Sequence, residues 1–399
     1  MEVKYGFMNS FTYWSPTKIV FGADTAVQIG SEVKAFGGTN VLIIYGAGSV
    51  VKSGLLDKVK KSLADNGLSY SCVGGVQPNP LAEFAQKIVD DYRDKNIDFV
   101  LGVGGGSAID TAKAVALGLA VTDTPVWEFF CERAKVEAAL PIGVILTIAA
   151  AGSETSDSAV LTSKTDDGTK RGFGNQFNRP KFAIMDPTLT YTLPPHQTAC
   201  GITDIMMHTM DRYFAADIVN DLTDELAEAL LRITIKYGKI AMEKPDDYKA
   251  RAELMWAGSL SHIGLTGLGN TAGFDVHQLG HSLSALYDIA HGESLAIAWP
   301  SWARYVYREN IQRFARYARN VWGIEENDDE AAAVKGINAT EEYFKLIKMS
   351  VTISAAVGEK CKEAIDELTD LTTFHGSRTT GAFKVLHADD IKAIFTSAI

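Results

Sequence analysis

Cysteine is scarce in this sequence, and its spacing is that of unpaired thiols. The 399 residues contain no CxxC pair and only four cysteines, which are Cys72, Cys131, Cys200 and Cys361. Isolated cysteines in a chain of this length are typical of a reducing compartment. Because the first residues, MEVKYGFMNSFTYW, also lack the apolar stretch of a signal peptide, we expect a cytoplasmic protein.

Long apolar runs and an excess of positive charge are absent as well. No stretch reaches the ~18 apolar residues of a membrane span, so we expect no membrane partner. Lys and Arg number 38 against 49 Asp and Glu, which gives a net charge of -11. A nucleic-acid-binding protein needs a concentrated basic surface, so this balance predicts no nucleic-acid partner. With 46% hydrophobic and 22% charged residues, the chain is typical of a globular protein long enough for two domains.

The first half of the chain alternates between short apolar runs and helical patterns. The runs that predict strands are NVLIIYG, LSYSCVGG, IDFVLGVGGG, PIGVILTIA and KFAIMD. The helical patterns between them are SVVKSGLLDKVKKSLADNG, LAEFAQKIVDDYRDKN and SAIDTAKAVALGLA. This alternation predicts a Rossmann-like α/β domain, in which a parallel sheet has helices on both faces.

The pattern changes near residue 190. The segment MDPTLTYTLPPHQ contains three prolines, and long amphipathic helical patterns replace the strands beyond it. We therefore predict an α/β dinucleotide-binding domain over residues 1–190 and an all-helical metal-binding and substrate domain over residues 191–399. Near the N-terminus, the segment TKIVFG is predicted to form an edge strand that pairs between the subunits of a homodimer.

Two glycine-rich turns each follow a predicted strand and open a predicted helix. They consist of Gly46, Ala47, Gly48 and Ser49, and of Gly104, Gly105, Gly106 and Ser107. Glycine lets backbone amides approach a phosphate, and a helix N-terminus favours an anion. Neither turn is a GxGxxG motif, and one such turn alone has a purely conformational explanation. Two of them on adjacent units of one sheet predict a nucleotide across the strand ends.

The first turn also bears on which nucleotide is bound. Sites for NAD(H) usually have an acidic residue near the end of the second strand, where it binds the ribose hydroxyls. Here the strand ends in Gly46 without an acid, and Ser49 and Lys52 follow. A neutral turn followed by a hydroxyl and a cation favours the 2′-phosphate of NADP(H) over NAD(H). Lys52 is equally well explained as an ordinary exposed lysine.

Histidines cluster in the predicted helical domain. The stretch VHQLGHSLSALYDIAHGE has His277 and His281 four residues apart, and His291 follows a predicted helix break. The stretch GITDIMMHTMDRY has Asp204 and His208 at the same spacing. One carboxylate and several imidazoles are ligands that a divalent transition metal accepts. A catalytic metal keeps one coordination position open for the substrate, so it normally has fewer than five protein ligands. The spacing of the five candidates does not show which of them is not a ligand.

Five longer stretches together resemble one protein family. These stretches are GGGSAIDTAK, AAGSETSDSAVLT, RPKFAIMDPTLTYTLP, GITDIMMHTMDRYF and GHSLSALYDIAHGESLAIAWP. Over essentially the whole chain, their combination resembles the iron-containing (group III) alcohol dehydrogenases, in the branch of butanol dehydrogenases and NADPH-dependent aldehyde reductases. The resemblance implies a dehydroquinate synthase-like architecture, with an α/β domain followed by an all-α domain.

The resemblance also implies roles for single residues. The metal ligands that it implies, for one Fe²⁺ or Zn²⁺ ion, are Asp204, His208, His277 and His291. His281 is implied to be the catalytic residue near the nicotinamide and the substrate. The implied cofactor contacts are Gly46, Gly48, Ser49, Lys52, Asn79, Gly105, Gly106, Ser107, Asp110, Thr147 and Lys170. The sequence departs from the family at Ala290, where many relatives have proline, and at Ala151, where many have Thr or Ser.

From these residues we expect hydride transfer between NADP(H) and a primary alcohol or aldehyde, such as butanol or butyraldehyde. One alternative keeps the fold and the metal but uses glycerol or another polyol as its substrate. A phosphate-bearing substrate would need additional Lys or Arg near Asp204 and His277, where the sequence is mostly apolar. A metal-dependent hydrolase, which needs no nicotinamide, is the alternative from a different class of enzyme.

Overall fold

The computed structural model describes residues 9–166, 168–215 and 220–399, without the side chain of residue 360. Its strands are β1 (Lys18–Phe21), β2 (Asn40–Gly46), β3 (Ser69–Val76), β4 (Phe99–Gly104), β5 (Ile142–Leu146), β6 (Ser158–Thr162), β7 (Lys170–Gly174) and β8 (Phe182–Met185). Six of them form a parallel sheet in the order β1-β8-β5-β4-β2-β3. The other two, β6 and β7, form an antiparallel pair.

Helices connect the strands and make up the later part of the chain. They are α1 (Ile29–Ala35), α2 (Ser49–Lys52), α3 (Leu55–Asp65), α4 (Ala82–Tyr92), α5 (Gly106–Ala120), α6 (Val126–Phe130), α7 (Pro195–Tyr213), α8 (Asp221–Glu243), α9 (Tyr248–His262), α10 (Asp275–Tyr287), α11 (His291–Val306), α12 (Ile311–Trp322), α13 (Asp329–Leu346), α14 (Ile353–Val357), α15 (Ile365–Thr372) and α16 (Ala388–Ser397). Short 3₁₀ helices lie at Thr25–Gln28, Gln176–Asn178, Pro187–Thr190, Leu265–Gly267, Tyr307–Asn310 and Glu359–Ala364. Within the described residues, no helix combines the length and the apolar character needed to cross a bilayer.

The sheet is buried on both faces because successive side chains of a strand point to opposite sides. On one face, Val41 of β2 lies in a buried cluster with Val59 of α3. On the other face, its neighbour Leu42 lies in a cluster with Val115 of α5. This arrangement confirms the predicted α/β fold class, in which the strands of a parallel sheet are apolar on both sides.

Two local features differ from the sequence-based expectation. The helix expected from Ser49 to Gly67 is divided into α2 and α3, because Gly54 adopts a left-handed conformation with φ 73° and ends the first helical segment. The hairpin of β6 and β7 was not predicted at all. Its second strand, KRGFG, contains two glycines, and only Lys170 and Phe173 are buried, so it has neither an apolar run nor a regular alternation that would mark a strand.

The described chain forms two compact units. The α/β unit comprises residues 15–193 and the segment Pro245–Ser259, which includes most of α9. The helical unit comprises the described residues among 1–14, Pro194–Lys244 and Leu260–Ile399, and it contains helices but no named strand. Whether residues 1–190 and 191–399 are separate domains remains a prediction.

Candidate functional site

The carboxyl ends of four neighbouring parallel strands meet at one edge of the α/β unit. In the sheet register, Gly46 of β2 lies beside Val76 of β3, and Gly104 of β4 lies beside Leu146 of β5. The strands β3 and β4 lie on opposite sides of β2, so the direction in which successive strands are added to the sheet reverses at β2. Open α/β sheets bind nucleotides at such a switch point. The predicted contacts that follow these strand ends are Gly46, Gly48, Ser49 and Lys52, then Asn79, then Gly105, Gly106 and Ser107, and finally Thr147.

The turn after β2 has room for a ligand and for a longer side chain. Gly48 has φ 143°, a conformation that favours glycine, whereas Gly46 has no such constraint. A Cβ atom added at Gly46 would lie 3.7 Å from its nearest neighbour, the carbonyl oxygen of Val76, which is an ordinary contact. Ser49 and Lys52 are exposed at the start and the end of α2.

The three glycines after β4 are present for different reasons. Gly104 has φ 157°, and a Cβ atom at Gly105 would lie 2.4 Å from the side chain of Ile148. The fold itself therefore explains both of these glycines. A Cβ atom at Gly106, in contrast, would lie 4.0 Å from its nearest neighbour, Ala151, so the protein does not need glycine there for space. The absence of a side chain at Gly106 would instead let a phosphate approach the first turn of α5.

Three of the predicted cofactor contacts already bind other groups of the protein. Lys170 Nζ donates a hydrogen bond of 2.9 Å to Asn79 Oδ1, so the structure brings these two residues together. The carboxylate of Asp110 accepts hydrogen bonds from Ser153 Oγ at 2.6 Å and from the amide of Val160 at 3.0 Å. Burial raises the pKa of the Asp110 carboxyl.

A buried lysine next to this edge was missed by the sequence analysis. Lys113 of α5 is fully buried, and its Nζ donates to Ser153 Oγ at 2.9 Å and to the carbonyls of Ser156 at 3.1 Å and Ser158 at 2.6 Å. Burial lowers its pKa to about 8, although nearby Asp110 opposes the shift. Lys113 thus connects α5 by hydrogen bonds to the segment that precedes β6 and to the first residue of β6. The signal in the sequence is a single lysine inside the apolar run AKAVALGLA.

The helical unit positions the histidines on three helices. Asp204 and His208 lie one turn apart on α7, in which every residue from 198 to 213 is buried. His277 and His281 lie one turn apart on α10, which ends at Tyr287, and His291 begins α11. The predicted break before His291 is therefore present in the structure.

Gly292 allows α7 and α11 to approach closely. A Cβ atom added at Gly292 would lie only 2.1 Å from the carbonyl oxygen of Cys200. Cys200 precedes Asp204 by one helical turn, and Gly292 follows His291 directly. This backbone contact therefore helps to fix the distance between the carboxylate of Asp204 and the imidazole of His291.

Three of the candidate imidazoles converge on one carboxylate oxygen of a fourth candidate, Asp204. Asp204 Oδ1 lies 3.4 Å from Nε2 of His208, and 3.8 Å from Nε2 of both His277 and His291. One ligand atom each of Asp204, His277 and His291 lies within 4.8 Å of the others. The ring of His281 is centred 6.4 Å from that of His277 and 5.4 Å from that of His291.

The converging atoms suit a divalent cation. Asp204 Oδ1 and His277 Nε2 are both buried, and neither has a hydrogen-bond partner among the described residues. Buried polar atoms without partners are costly, and a bound cation would satisfy them. A carboxylate with imidazole nitrogens is a donor set that Fe²⁺ and Zn²⁺ accept.

Two further side chains contact the outer nitrogens of these imidazoles and were not predicted. Asp211 Oδ2 lies 2.6 Å from Nδ1 of His277, and His262 Nδ1 lies 2.8 Å from Nδ1 of His208. Burial opposes the charged form of His277, yet the carboxylates of Asp204 and Asp211 raise its pKa. Burial and the neighbouring His262 lower the pKa of His208 well below its usual value.

Comparison with known proteins identifies the family. A model described as iron-containing alcohol dehydrogenase matches residues 16–187, and a model described as Fe-containing alcohol dehydrogenase family, C-terminal, matches residues 198–399. The chain therefore belongs to the iron-containing alcohol dehydrogenase family, and its enzyme class is oxidoreductase. The predicted family and fold class are thereby confirmed.

Several named relatives are similar over most of the chain. NADH-dependent butanol dehydrogenase A of Clostridium acetobutylicum is 40% identical over 97% of this chain and 99% of its own. NADPH-dependent aldehyde reductase YqhD of Escherichia coli is 34% identical over 87% of this chain and 89% of its own. The crystal structure of NADH-dependent butanol dehydrogenase A from Thermotoga maritima matches with a TM-score of 0.94 and 37% identity, over 98% of this chain and 99% of that one.

Proposed function

We propose that this protein is a metal-dependent alcohol dehydrogenase and aldehyde reductase. It transfers hydride between NADP(H) and a primary alcohol or aldehyde, with butanol and butyraldehyde as representative substrates. The observation that carries the proposal is the convergence of three imidazole Nε2 atoms on Asp204 Oδ1, in a chain of the iron-containing alcohol dehydrogenase family. Relatives named as butanol dehydrogenases and as an aldehyde reductase support the substrate class.

The residues that hold the divalent cation in this proposal are Asp204, His208, His277 and His291. The cation is Fe²⁺ or Zn²⁺; when bound, it acts as a Lewis acid that polarises the carbonyl, and the reduced nicotinamide supplies the hydride. The four side chains keep the cation in the helical unit, and α7 and α10 shield it from bulk water, because Asp204, His208 and His277 are buried.

His281 is proposed as the group that delivers a proton to the product oxygen. Its ring is centred 5.4 Å from that of His291, so it lies beside the proposed ligands on the same helix as His277. An imidazole exchanges protons near neutral pH, which suits a general acid in aldehyde reduction and a general base in the reverse direction.

NADP(H) is proposed over NAD(H) because the turn after β2 has no acidic side chain. Residues 46–52, GAGSVVK, contain no carboxylate, and Ser49 and Lys52 are exposed within reach of that turn. A 2′-phosphate would gain from the cation and would meet no like charge. Because the named relatives include NADH-dependent and NADPH-dependent enzymes, the preference must be measured on this protein.

The decisive experiment is a substrate panel on protein of measured metal content. Loss of absorbance from reduced nicotinamide is followed with butyraldehyde, with NADPH or NADH, before and after removal of metal by a chelator and after readdition of Fe²⁺ or Zn²⁺. We expect activity with NADPH that disappears with the metal and returns with it. Full activity without metal would contradict the proposed metal site. Faster turnover with glycerol would favour a polyol dehydrogenase, and the absence of nicotinamide binding would favour a hydrolase.

A homodimer in the cytoplasm completes the proposal. The strand β1 pairs only with β8, and its other edge has no partner strand among the described residues. Phe21 of this strand is 40% exposed, and an exposed apolar edge strand is suited to pairing with a second copy of the chain. Sedimentation equilibrium distinguishes a dimer from a monomer of 43.2 kDa.

A further inference from the structure

Two of the proposed ligand imidazoles have different partners at Nδ1, the nitrogen that faces away from Asp204. For His277 the partner is the buried carboxylate of Asp211. The two oxygens of this carboxylate also accept hydrogen bonds from the amides of Val276 at 3.2 Å and His277 at 3.1 Å. Two backbone amides at the start of α10 therefore bind Asp211 and help to fix the orientation of its carboxylate.

This contact determines which nitrogen of His277 carries hydrogen. An ionised carboxylate only accepts hydrogen bonds, so Nδ1 of His277 must donate across the 2.6 Å contact. In the neutral form that a cation requires, the imidazole has one N–H group, and Nε2 is then left with a lone pair. That lone pair is directed towards Asp204 Oδ1, 3.8 Å away, where a cation needs it.

The corresponding contact of His208 involves a second imidazole instead of a carboxylate. Nδ1 of His208 and Nδ1 of His262 lie 2.8 Å apart, with the ring planes at 81°. One of these two nitrogens must carry the hydrogen. If Nδ1 of His208 donates to His262, Nε2 of His208 has a lone pair directed at Asp204, 3.4 Å away. A neutral acceptor imposes this tautomer less strongly than a carboxylate does.

We propose that Asp211 and His262 are positioning residues, which hold His277 and His208 in the Nδ1–H tautomer so that both Nε2 atoms are available to a divalent cation. Asp211 has the larger effect, because its hydrogen bond is charge-assisted. This inference rests on the proposed metal site. In this inference Asp211 and His262 do not contact the cation themselves and affect its binding only through the ligands His277 and His208.

The test replaces Asp211 by asparagine, which has nearly the same shape. An asparagine has one acceptor oxygen where the carboxylate has two, and that oxygen is uncharged. Oδ2 of Asp211 contacts both the amide and Nδ1 of His277, whereas Oδ1 contacts only the amide of Val276, so either one or two of these nitrogens would face the amide NH₂ group. In either orientation the side chain imposes the Nδ1–H tautomer less strongly than the carboxylate does. We expect part or all of His277 to change to the Nε2–H tautomer in Asp211→Asn. We also expect the affinity for Zn²⁺ to fall by about 10- to 100-fold. For His262→Leu we expect a smaller loss, of roughly tenfold or less.

Two measurements give the readout. Long-range ¹H–¹⁵N correlations of ¹⁵N-histidine in the metal-free full-length protein identify the tautomer of each ring, and competition with a chromophoric chelator gives the Zn²⁺ dissociation constant. The matched control is Asp370→Asn, because Asp370 Oδ2 lies 2.7 Å from Nδ1 of His375 in an exposed pair. This control should leave the Zn²⁺ affinity and the tautomers of His208 and His277 unchanged.

The outcomes separate this inference from the proposed function. An Nε2–H tautomer for His277 or His208 in the wild-type protein overturns the inference, even if Asp211→Asn fails to fold. Unchanged tautomers and Zn²⁺ affinity in folded Asp211→Asn overturn it as well. A wild-type protein that binds no divalent cation, yet has both rings in the Nδ1–H form, contradicts the proposed metal site instead.

Discussion

The two candidate sites of this protein are built in different ways. At the carboxyl edge of the sheet, short turns lead from β2 and β4 to the following helices, and Gly48 and Gly104 in these turns have positive φ angles. In the helical unit, side chains from α7, α10 and α11 converge although Asp204 and His291 are far apart in the sequence. The first site depends on local conformation, whereas the second depends on which side chains are present and how helices pack.

Glycine shows the difference most directly. Gly106 is the first residue of α5 and Gly292 is the second residue of α11. A Cβ atom at Gly106 would have its nearest neighbour at 4.0 Å, whereas one at Gly292 would lie 2.1 Å from a backbone carbonyl oxygen. The same residue type in the first turn of a helix therefore leaves space at one site and allows helix contact at the other.

The largest expected effect is the loss of one side chain from the helical site. Asp204→Ala removes the oxygen on which three imidazoles converge. We expect the purified protein to lose its metal, and the rate of butyraldehyde reduction to fall about 10³-fold or more, since Lewis-acid assistance amounts to several kcal/mol. Elemental analysis measures the metal content, and the loss of nicotinamide absorbance measures the rate of butyraldehyde reduction. The control Asp91→Ala removes a half-exposed carboxylate of α4 and should change neither. Retained metal and rate in Asp204→Ala would remove Asp204 from the ligand set.

A matched pair of glycine substitutions should give an intermediate effect. Gly292→Ala forces a methyl group against the carbonyl of Cys200, which cannot rotate away, so we expect the free energy of unfolding to fall by about 3 kcal/mol and the metal content to fall with it. Gly106→Ala should leave that free energy unchanged or raise it by up to about 1 kcal/mol, while it weakens NADPH binding. Urea unfolding and nucleotide titration measure these effects. If both substitutions lowered the free energy of unfolding equally, the contrast between a glycine needed for helix contact and one not needed for space would be wrong.

The smallest expected effect concerns nucleotide choice at the sheet edge. The turn after β2 has room for a side chain at position 46. The substitution Gly46→Asp would therefore place a carboxylate near the 2′-phosphate. We expect NADPH affinity to fall by about 10- to 100-fold, which is about 1.4 to 2.7 kcal/mol, with little change for NADH. Gly46→Asn, of the same size but uncharged, should have a much weaker effect. If both nucleotides lost affinity equally, the proposed preference for NADP(H) would be wrong.

Much of the α/β fold could be predicted because its signals are local. The run NVLIIYG coincides with β2, and the runs LSYSCVGG, IDFVLGVGGG and KFAIMD contain most or all of β3, β4 and β8. The division of the expected helix at Gly54 was not predicted, since a glycine inside an amphipathic pattern is compatible with an unbroken helix. The hairpin of β6 and β7 was missed because its strands are short and only partly buried.

The candidate ligands could be predicted by residue type but not by arrangement. Their spacing on α7 and α10 nominated four residues, and His291 was added because it follows the predicted helix break. Only the resemblance to the family separated His281 from the other four. Asp211 and His262 had no recognisable pattern, and the lysine inside the apolar run at Lys113 did not reveal its partners, because each of the three acts through a contact with a residue distant in sequence. Lys113, for example, binds the carbonyl of Ser158, 45 residues further along the chain.

The sequence by itself determined the type of most main elements, the two glycine turns and the identity of the metal-binding candidates. These properties follow from periodicity and backbone preference within a few residues. Only the tertiary structure decided that Asp204, His208, His277 and His291 converge, and that Asp211 and His262 lie behind two of them. Such distances depend on how helices pack, as at the contact of Gly292 with Cys200, and packing is set by side chains that are far apart along the chain.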